Sequence, residues 1–251
     1  MSLFKTLIIL SYFLTNPLFL YSQREADNWI VGEWAGINFS SGDPVAFFSI
    51  NTENTFEGAI MSDSLGNLLF YSNGRKIWNR NHEVMFNGDS LIGGAVTQSC
   101  VIFPKPGFQN IYYVFTMSNW TTPQGLHYSV VDMSLDGGLG GVTEIKNIKL
   151  EAANNAADKL LVVKSTDDSY WVVTRLFNDD RFISFNVDQN GVDPNPVYSP
   201  TEIHRDLFEV TGYMRISTDK NYLVAGYDRG GTYGSSNPLY SFDLCAFDPT
   251  T

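Results

Sequence analysis

KLLVVKSTDDSYWVVTRLF, residues 159–177, consists of two apolar runs hinged on a short polar turn. Val, Leu, Tyr and Trp dominate the runs, and these residue types suit a pleated, packed strand. Ser165, Asp167, Asp168 and Ser169 supply the turn. Short oxygen-bearing side chains there can bond their own backbone and send the chain straight back. The stretch therefore reads as an antiparallel hairpin. Its runs do not alternate apolar with polar, as a strand with one wet face would. Continuity of this kind calls for cover on both faces.

The same unit recurs. GAIMSDSLGNLLFYSNGRKIWNR (58–80), QSCVIFPKPGFQNIYYVFTM (98–117) and GYMRISTDKNYLVAGYD (212–228) each set a polar turn between apolar runs. The turns centre near Leu65, Gly107, Asp167 and Asp219, at steps of about 42, 60 and 52 residues, close to the period of propeller blades. LHYSVVDM (126–133), RFISFNVD (181–188) and LYSFDLCAFD (239–248) would add a third or fourth strand to each unit. EAANNAADKL (151–160) reads as one turn of helix or a loop. Four-stranded antiparallel sheets arranged radially satisfy this pattern and protect strand edges. The predicted fold is all-β, a β-propeller of about four blades plus a leading strand, NWIVGEWAGINF (28–39), incomplete at its C-terminal side. A compact ring of four or five blades is the alternative.

The first 22 residues read as a secretory signal peptide: Lys5 precedes an apolar stretch from Leu7 to Leu20, and small Ser22 offers cleavage before Gln23. The apolar stretch is short for a membrane span and is broken by Pro17. The expected domains are thus 1–22, signal peptide, and 23–251, propeller, with a secreted or outer-surface location. A 43% hydrophobic and 14% aromatic content supports a packed core. The net charge of −11 becomes −12 once Lys5 is removed. Such a surface repels phosphate backbones, so nucleic acid is excluded as a partner. Cys100 and Cys245 are too few for a disulfide framework and read as two buried thiols, with a single bridge as the alternative.

Three runs carry a resemblance: GNLLFYSNGRKIWNRNHEVMFNG (66–88), TQSCVIFPKPGFQNIYYVFT (97–116) and HYSVVDMSLDGGLGGVTEIKN (127–147). Together they resemble the N-terminal β-propeller region of large secreted Bacteroidota-type proteins. In that family the region often precedes PKD-type repeats and a gliding-motility-associated, type IX secretion C-terminal domain. The resemblance runs from about Asn28 to Asp243. It implies a propeller in a longer surface polypeptide and brings no catalytic residues; the family's sorting domain is missing from this sequence. ISTDKNYLVAG also resembles propeller repeats written around Ser-Pro-Asp-Gly. Ser217, Asp219, Leu223 and Ala225 match, and Thr218 stands where those repeats have proline. Asp219 is expected to accept backbone hydrogen bonds in its turn.

Chemistry-bearing patterns are sparse. His82, His127 and His204 have no zinc-ligand spacing, and no Gly-x-Ser-x-Gly elbow marks a nucleophilic serine. DGGLGGVT (136–143) lacks the lysine and helix of a phosphate loop and reads as a connector. DQNGVDPN places Asp188, Asn190, Asp193 and Asn195 in one loop, oxygen ligands that can hold calcium. Asn190-Gly191 is also a strong hairpin signal, and the hairpin is the better reading. Glu33, Glu57 and Asp63 are early carboxylates whose convergence the sequence does not reveal. Asn38 and Asn119 fit the glycosylation pattern by chance, and Trp34 and Trp120 are candidates for stacking on sugar or peptide. The expected function is a non-catalytic, exported module for surface interaction, adhesion or domain spacing, whose ligand is a glycan or protein. The alternative is a carbohydrate-active hydrolase or lyase on the same fold, and an acidic cluster in the central funnel would favour it.

Overall fold

The computed structural model describes residues 24–31, 34–47, 50, 58–94, 96–118, 124–177, 179–205, 211–228 and 240–250. Among them the strands form five antiparallel sheets, taken up one after another along the chain. The first holds β1 (Asn28–Ile30), β2 (Gly36–Asn38) and β3 (Val45–Phe47), and the second β4 (Ala59–Ser62), β5 (Leu68–Ser72) and β6 (Ile77–Asn79). In the third, β7 (Cys100–Pro104), β8 (Ile111–Met117) and β9 (Leu126–Asp132) are followed by β10 (Gly141–Val142) and β11 (Ile148–Lys149), both paired to β9. The fourth repeats this plan. Its β12 (Ala156–Lys164), β13 (Tyr170–Leu176) and β14 (Asp179–Asp188) precede β15 (Gly191–Val192) and β16 (Val197–Arg205), both paired to β14. The fifth comprises β17 (Met214–Ile216), β18 (Tyr222–Asp228) and β19 (Tyr240–Ala246).

Leading strands define the centre. β1 lies beside β4, β4 beside β7, β7 beside β12 and β12 beside β17, while later strands of each sheet fan outward. This is the radial plan of a β-propeller, and no comparable packing of described residues joins β17 back to β1. All four hairpins expected from the repeats are present, as the first two strands of sheets two to five. A difference lies at the start. The segment 28–39 is not a lone leading strand but β1 and β2 of the first sheet, which brings the number of sheets to five. Trp34 takes a left-handed backbone conformation (φ 66°) and Val31 donates its amide to the Ala35 carbonyl at 2.9 Å, which reverses the chain there. Residues 136–143 are also more ordered than a connector: a 3-10 turn at Asp136–Gly138 leads into β10.

The continuous apolar runs are explained by burial on both faces. Along β8, Tyr112 and Val114 join the core against the second sheet, whereas Tyr113, Phe115 and Met117 join the core against the fourth. β13 behaves alike: Val172 packs toward the third sheet, and Trp171 and Val173 toward the fifth. Phe103 and Tyr170 bring their rings to 4.8 Å across the junction of sheets three and four. Each large side chain buried this way contributes about 2 kcal/mol, so every sheet depends on its neighbours. Cys100 is buried in β7 and Cys245 half-buried in β19; neither is bridged.

The hairpin turns use their acids structurally. Asp63 accepts the amides of Leu65 and Asn67, both at 2.9 Å, Asp167 that of Ser169 at 3.1 Å and Asp219 that of Asn221 at 3.1 Å. Such bonds satisfy backbone donors that the reversal would otherwise strand. Asp219 plays the role expected of it.

Candidate functional site

The axis of the disc holds a cavity of mixed polar and apolar surface. Gly58 to Ile60, Cys100 to Ile102 and Leu160 to Val162 line a cavity of about 260 Å³ with Gln98 and Arg215. Gln98 crosses it. Its amide oxygen accepts the Met214 N–H at 2.8 Å and its amide nitrogen donates to the Met214 carbonyl at 3.3 Å, tying the third sheet to the fifth.

Beside this fastening, where β12 starts, lies the most unusual chemistry in the molecule. β12 pairs regularly with β13 except at one break: Ala157 faces Arg175 and Leu160 faces Thr174, leaving Asp158 and Lys159 without opposite residues. In an unbroken strand two consecutive side chains would point to opposite faces. At the bulge Asp158 takes φ 35°, and both side chains are buried, Asp158 3% and Lys159 0% exposed. Bulges recur where a strand must re-aim a side chain. The Lys159 ammonium sits 4.2 Å from the Tyr227 ring centroid, a cation–π contact across the junction of sheets four and five. Arg175, also buried, stacks on Phe182 at 4.7 Å and donates to Thr201 Oγ1 at 3.1 Å. Asp243, on β19, is 5% exposed. Two residues along, the Cys245 thiol is pushed up by burial and by Asp243 and pulled down by Arg175, so these charges share one neighbourhood.

Asp158 is the group this environment alters most. Burial raises its carboxyl to about 6, opposed by the Lys159 charge and a hydrogen bond with Thr211. Its Oδ1 has no hydrogen-bond partner among the described residues. A carboxyl so placed exchanges a proton near neutral pH, as general acids and bases must. A buried acid thus lies on β12 just before Leu160 to Val162, which line the axial cavity.

The sequence-derived candidates lie elsewhere. Asp188, Asn190 and Asp193 do border one hollow, of about 270 Å³. Asp188 Oδ1 already accepts the amides of Asn190 (2.7 Å) and Gly191 (3.2 Å), and its Oδ2 accepts from the Asn190 side chain (3.0 Å). Asp193 Oδ1 accepts the amide and side chain of Asn195. The hairpin reading describes this loop: Asp188 pairs with Gly191 between β14 and β15. Among the described residues no group of three or more His, Cys, Asp or Glu could hold a metal ion. Asp188 also borders a polar cleft of about 430 Å³ with Asp167 and Asp168, at the end of the disc away from Asp158.

His82 lies in a loop with Nδ1 3.2 Å from the Tyr71 hydroxyl, and His127 is buried in β9; burial lowers both imidazoles' pKa. Trp34 is half-exposed and Asp63 caps its turn. Ser22, Glu33, Glu57, Asn119, Trp120 and the His204 side chain lie outside the described residues. No described helix is long and apolar enough to cross a membrane.

No protein-family model matches the chain, and no curated protein matches it. Its shape is similar to that of an α-L-arabinofuranosidase from Clostridium thermocellum, with a TM-score of 0.39 and 10% identity over 76% of this chain and 58% of that one. A proposed 6-phosphogluconolactonase from Bacteroides uniformis gives 0.41 and 16% over 86% and 65%. An endo-arabinase from Bacteroides thetaiotaomicron gives 0.40 and 11% over 90% and 76%. The chain spans less than two thirds of the length of the first two. At these values the likeness is one of general shape, and no activity follows from it. The class that the sheets themselves define is an all-β propeller protein.

Proposed function

We propose that the protein is an exported, carbohydrate-active propeller module in which Asp158 serves as proton donor. The observation that carries this reading is the Asp158 carboxyl, buried in a bulge of β12 shortly before the residues of that strand that line the axial cavity, and raised to about 6. Glycoside hydrolysis relies on two carboxyl groups, one kept protonated near neutral pH and one ionised. The second role we assign to Asp243, buried on β19 at the same junction of sheets; Lys159 adjoins Asp158, and Arg175 acts on Cys245 together with Asp243. Reducing-sugar release from a panel of polysaccharides tests the reading. Activity that falls at least 100-fold in Asp158→Asn supports it; release that survives this change, or no release from any polymer, refutes it.

A second reading, a non-catalytic interaction module, is favoured by the near-complete burial of both acids. In that case the charged set is a buried network that fixes how sheets four and five meet. Glycan-array binding without release from the same sugars would select it. Export on residues 1–22 is part of either reading, and mass spectrometry of the secreted protein should find Gln23 as its first residue.

A further inference from the structure

We propose that the cleft between the first and second sheets is a binding site for a neutral saccharide, separate from Asp158 and independent of any catalytic role for it. The cleft encloses about 440 Å³, a volume suited to a small ligand. Asn28, Asn38, Ser40, Ser41 and His82 form the polar part of its wall, and Phe47 and Leu68 contribute apolar surface. None of the described residues that line it is Asp, Glu, Lys or Arg. Burial lowers the His82 pKa, so the wall is uncharged near neutral pH. It shares no residue with the axial cavity.

The hydrogen bonds already made fix what this wall still offers. Asn28 is fully engaged: its amide nitrogen donates to Ser62 Oγ (3.0 Å) and the Gly66 carbonyl (2.9 Å), and its oxygen accepts from Asn38 (2.8 Å). Asn38 Oδ1 in turn accepts from the amide and the hydroxyl of Ser40. The Ser40 hydroxyl proton is thus committed to Asn38, and that of Ser41 to the Asp43 carbonyl at 2.9 Å. Both hydroxyls can then only accept, while Asn38 keeps its second amide proton to donate. A sugar hydroxyl, which donates and accepts, matches this set. An ammonium would find no counter-charge, and a carboxylate would meet two acceptors.

His82 supplies an independent observation. A tight turn, in which the His82 amide donates to the Asn79 carbonyl at 3.0 Å, holds it at φ 64°. That left-handed conformation suits glycine and costs a side-chain-bearing residue energy. The ring is also held, with Nδ1 3.2 Å from the hydroxyl of Tyr71, which is itself fully buried and stacked on Trp78. A position where glycine would sit without strain thus places an oriented imidazole in the cleft wall, as binding sites do when they store strain.

Histidine-ring NMR of the folded protein tests this, because the chain has only three histidines and His82→Gln identifies the His82 signal. Neutral pentose and hexose oligosaccharides are titrated in, followed by the uronic-acid and amino-sugar counterparts of whichever binds. A neutral sugar should shift the His82 ring and leave that of His127 in place, and its charged counterparts should bind about 10-fold more weakly. Ser41→Ala, which leaves the Asn28–Asn38–Ser40 chain of bonds intact, should weaken binding about 3-fold, and Ser40→Ala with Ser41→Ala about 10-fold. Asp158→Asn should bind as the wild type does, whatever it does to sugar release. The proposal is overturned by an unmoved His82 ring with every neutral sugar, by a charged sugar bound as tightly, by wild-type affinity in Ser41→Ala, or by affinity lost in Asp158→Asn.

Discussion

Replacing Asp158 by Asn removes a titrating group whose folded and unfolded affinities for protons differ, and the size of the effect follows from that difference. The carboxyl has a folded value of about 6 against 3.8 for the free side chain. The folded state therefore binds the proton more tightly, and ionisation costs stability. The cost is absent well below the unfolded value, grows as pH rises between 3.8 and 6, and is complete above. Two such units correspond to about 3 kcal/mol at about pH 7.5 and about 1 kcal/mol at about pH 4.5. Asparagine keeps the shape but not the titration. The Lys159 charge is already contained in the folded value, and exchanging the neutral carboxyl for an amide changes stability by an amount independent of pH while Lys159 stays charged. The pH dependence isolates Asp158: relative to wild type, Asp158→Asn should gain about 2 kcal/mol between about pH 4.5 and about pH 7.5. Urea unfolding at the two pH values measures it. Parallel curves for the two proteins would refute the reasoning.

The exposed turn acids act in the opposite sense. Hydrogen bonds from Ser169, Asn190 and Ser217 hold Asp167, Asp188 and Asp219 respectively below the usual carboxylate value, so their contribution is present above about pH 4 and is lost as pH falls further; a thermal scan series should show the midpoint dropping on that limb. Phe115→Ala empties a fully buried position between sheets three and four and should cost about 3–5 kcal/mol in urea unfolding. Gly212 has φ 135° and an added Cβ would lie 2.3 Å from the Gly226 carbonyl, so Gly212→Ala should destabilise by about 2 kcal/mol or more in the same assay. Chelator should leave the melting midpoint unchanged, because the loop of Asp188 and Asp193 already satisfies its carboxylates with its own amides; a midpoint that falls with chelator and returns with calcium would contradict this.

What the sequence made legible was local. The hairpins of sheets two to five could be read because their turns carry Asp, Asn, Ser and Gly between β-forming runs, and those residues make the bonds their chemistry suggests. The double-sided cover of IYYVF and YWVVT was legible for the same reason, since only burial on both faces tolerates such runs. The first sheet was not, because its strands are three residues long and its reversal depends on Trp34 in a conformation no composition rule anticipates. The site at Asp158 was missed too. Its one trace was the Asp-Lys pair inside the apolar stretch AADKLLVV, and the bulge that leaves both residues without partners on β13 is not encoded by strand periodicity. Gln98 and Met214, 116 residues apart, meet only because five leading strands converge on one axis.

Amide hydrogen exchange of the native chain tests that convergence most directly. If the sheets stand radially in chain order, strands of the third and fourth sheets, covered on both faces, should exchange slowest, and the first and fifth, each with one open face, should exchange fastest. Equal protection of β18 and β8, or faster exchange in β13 than in β18, would contradict the arrangement.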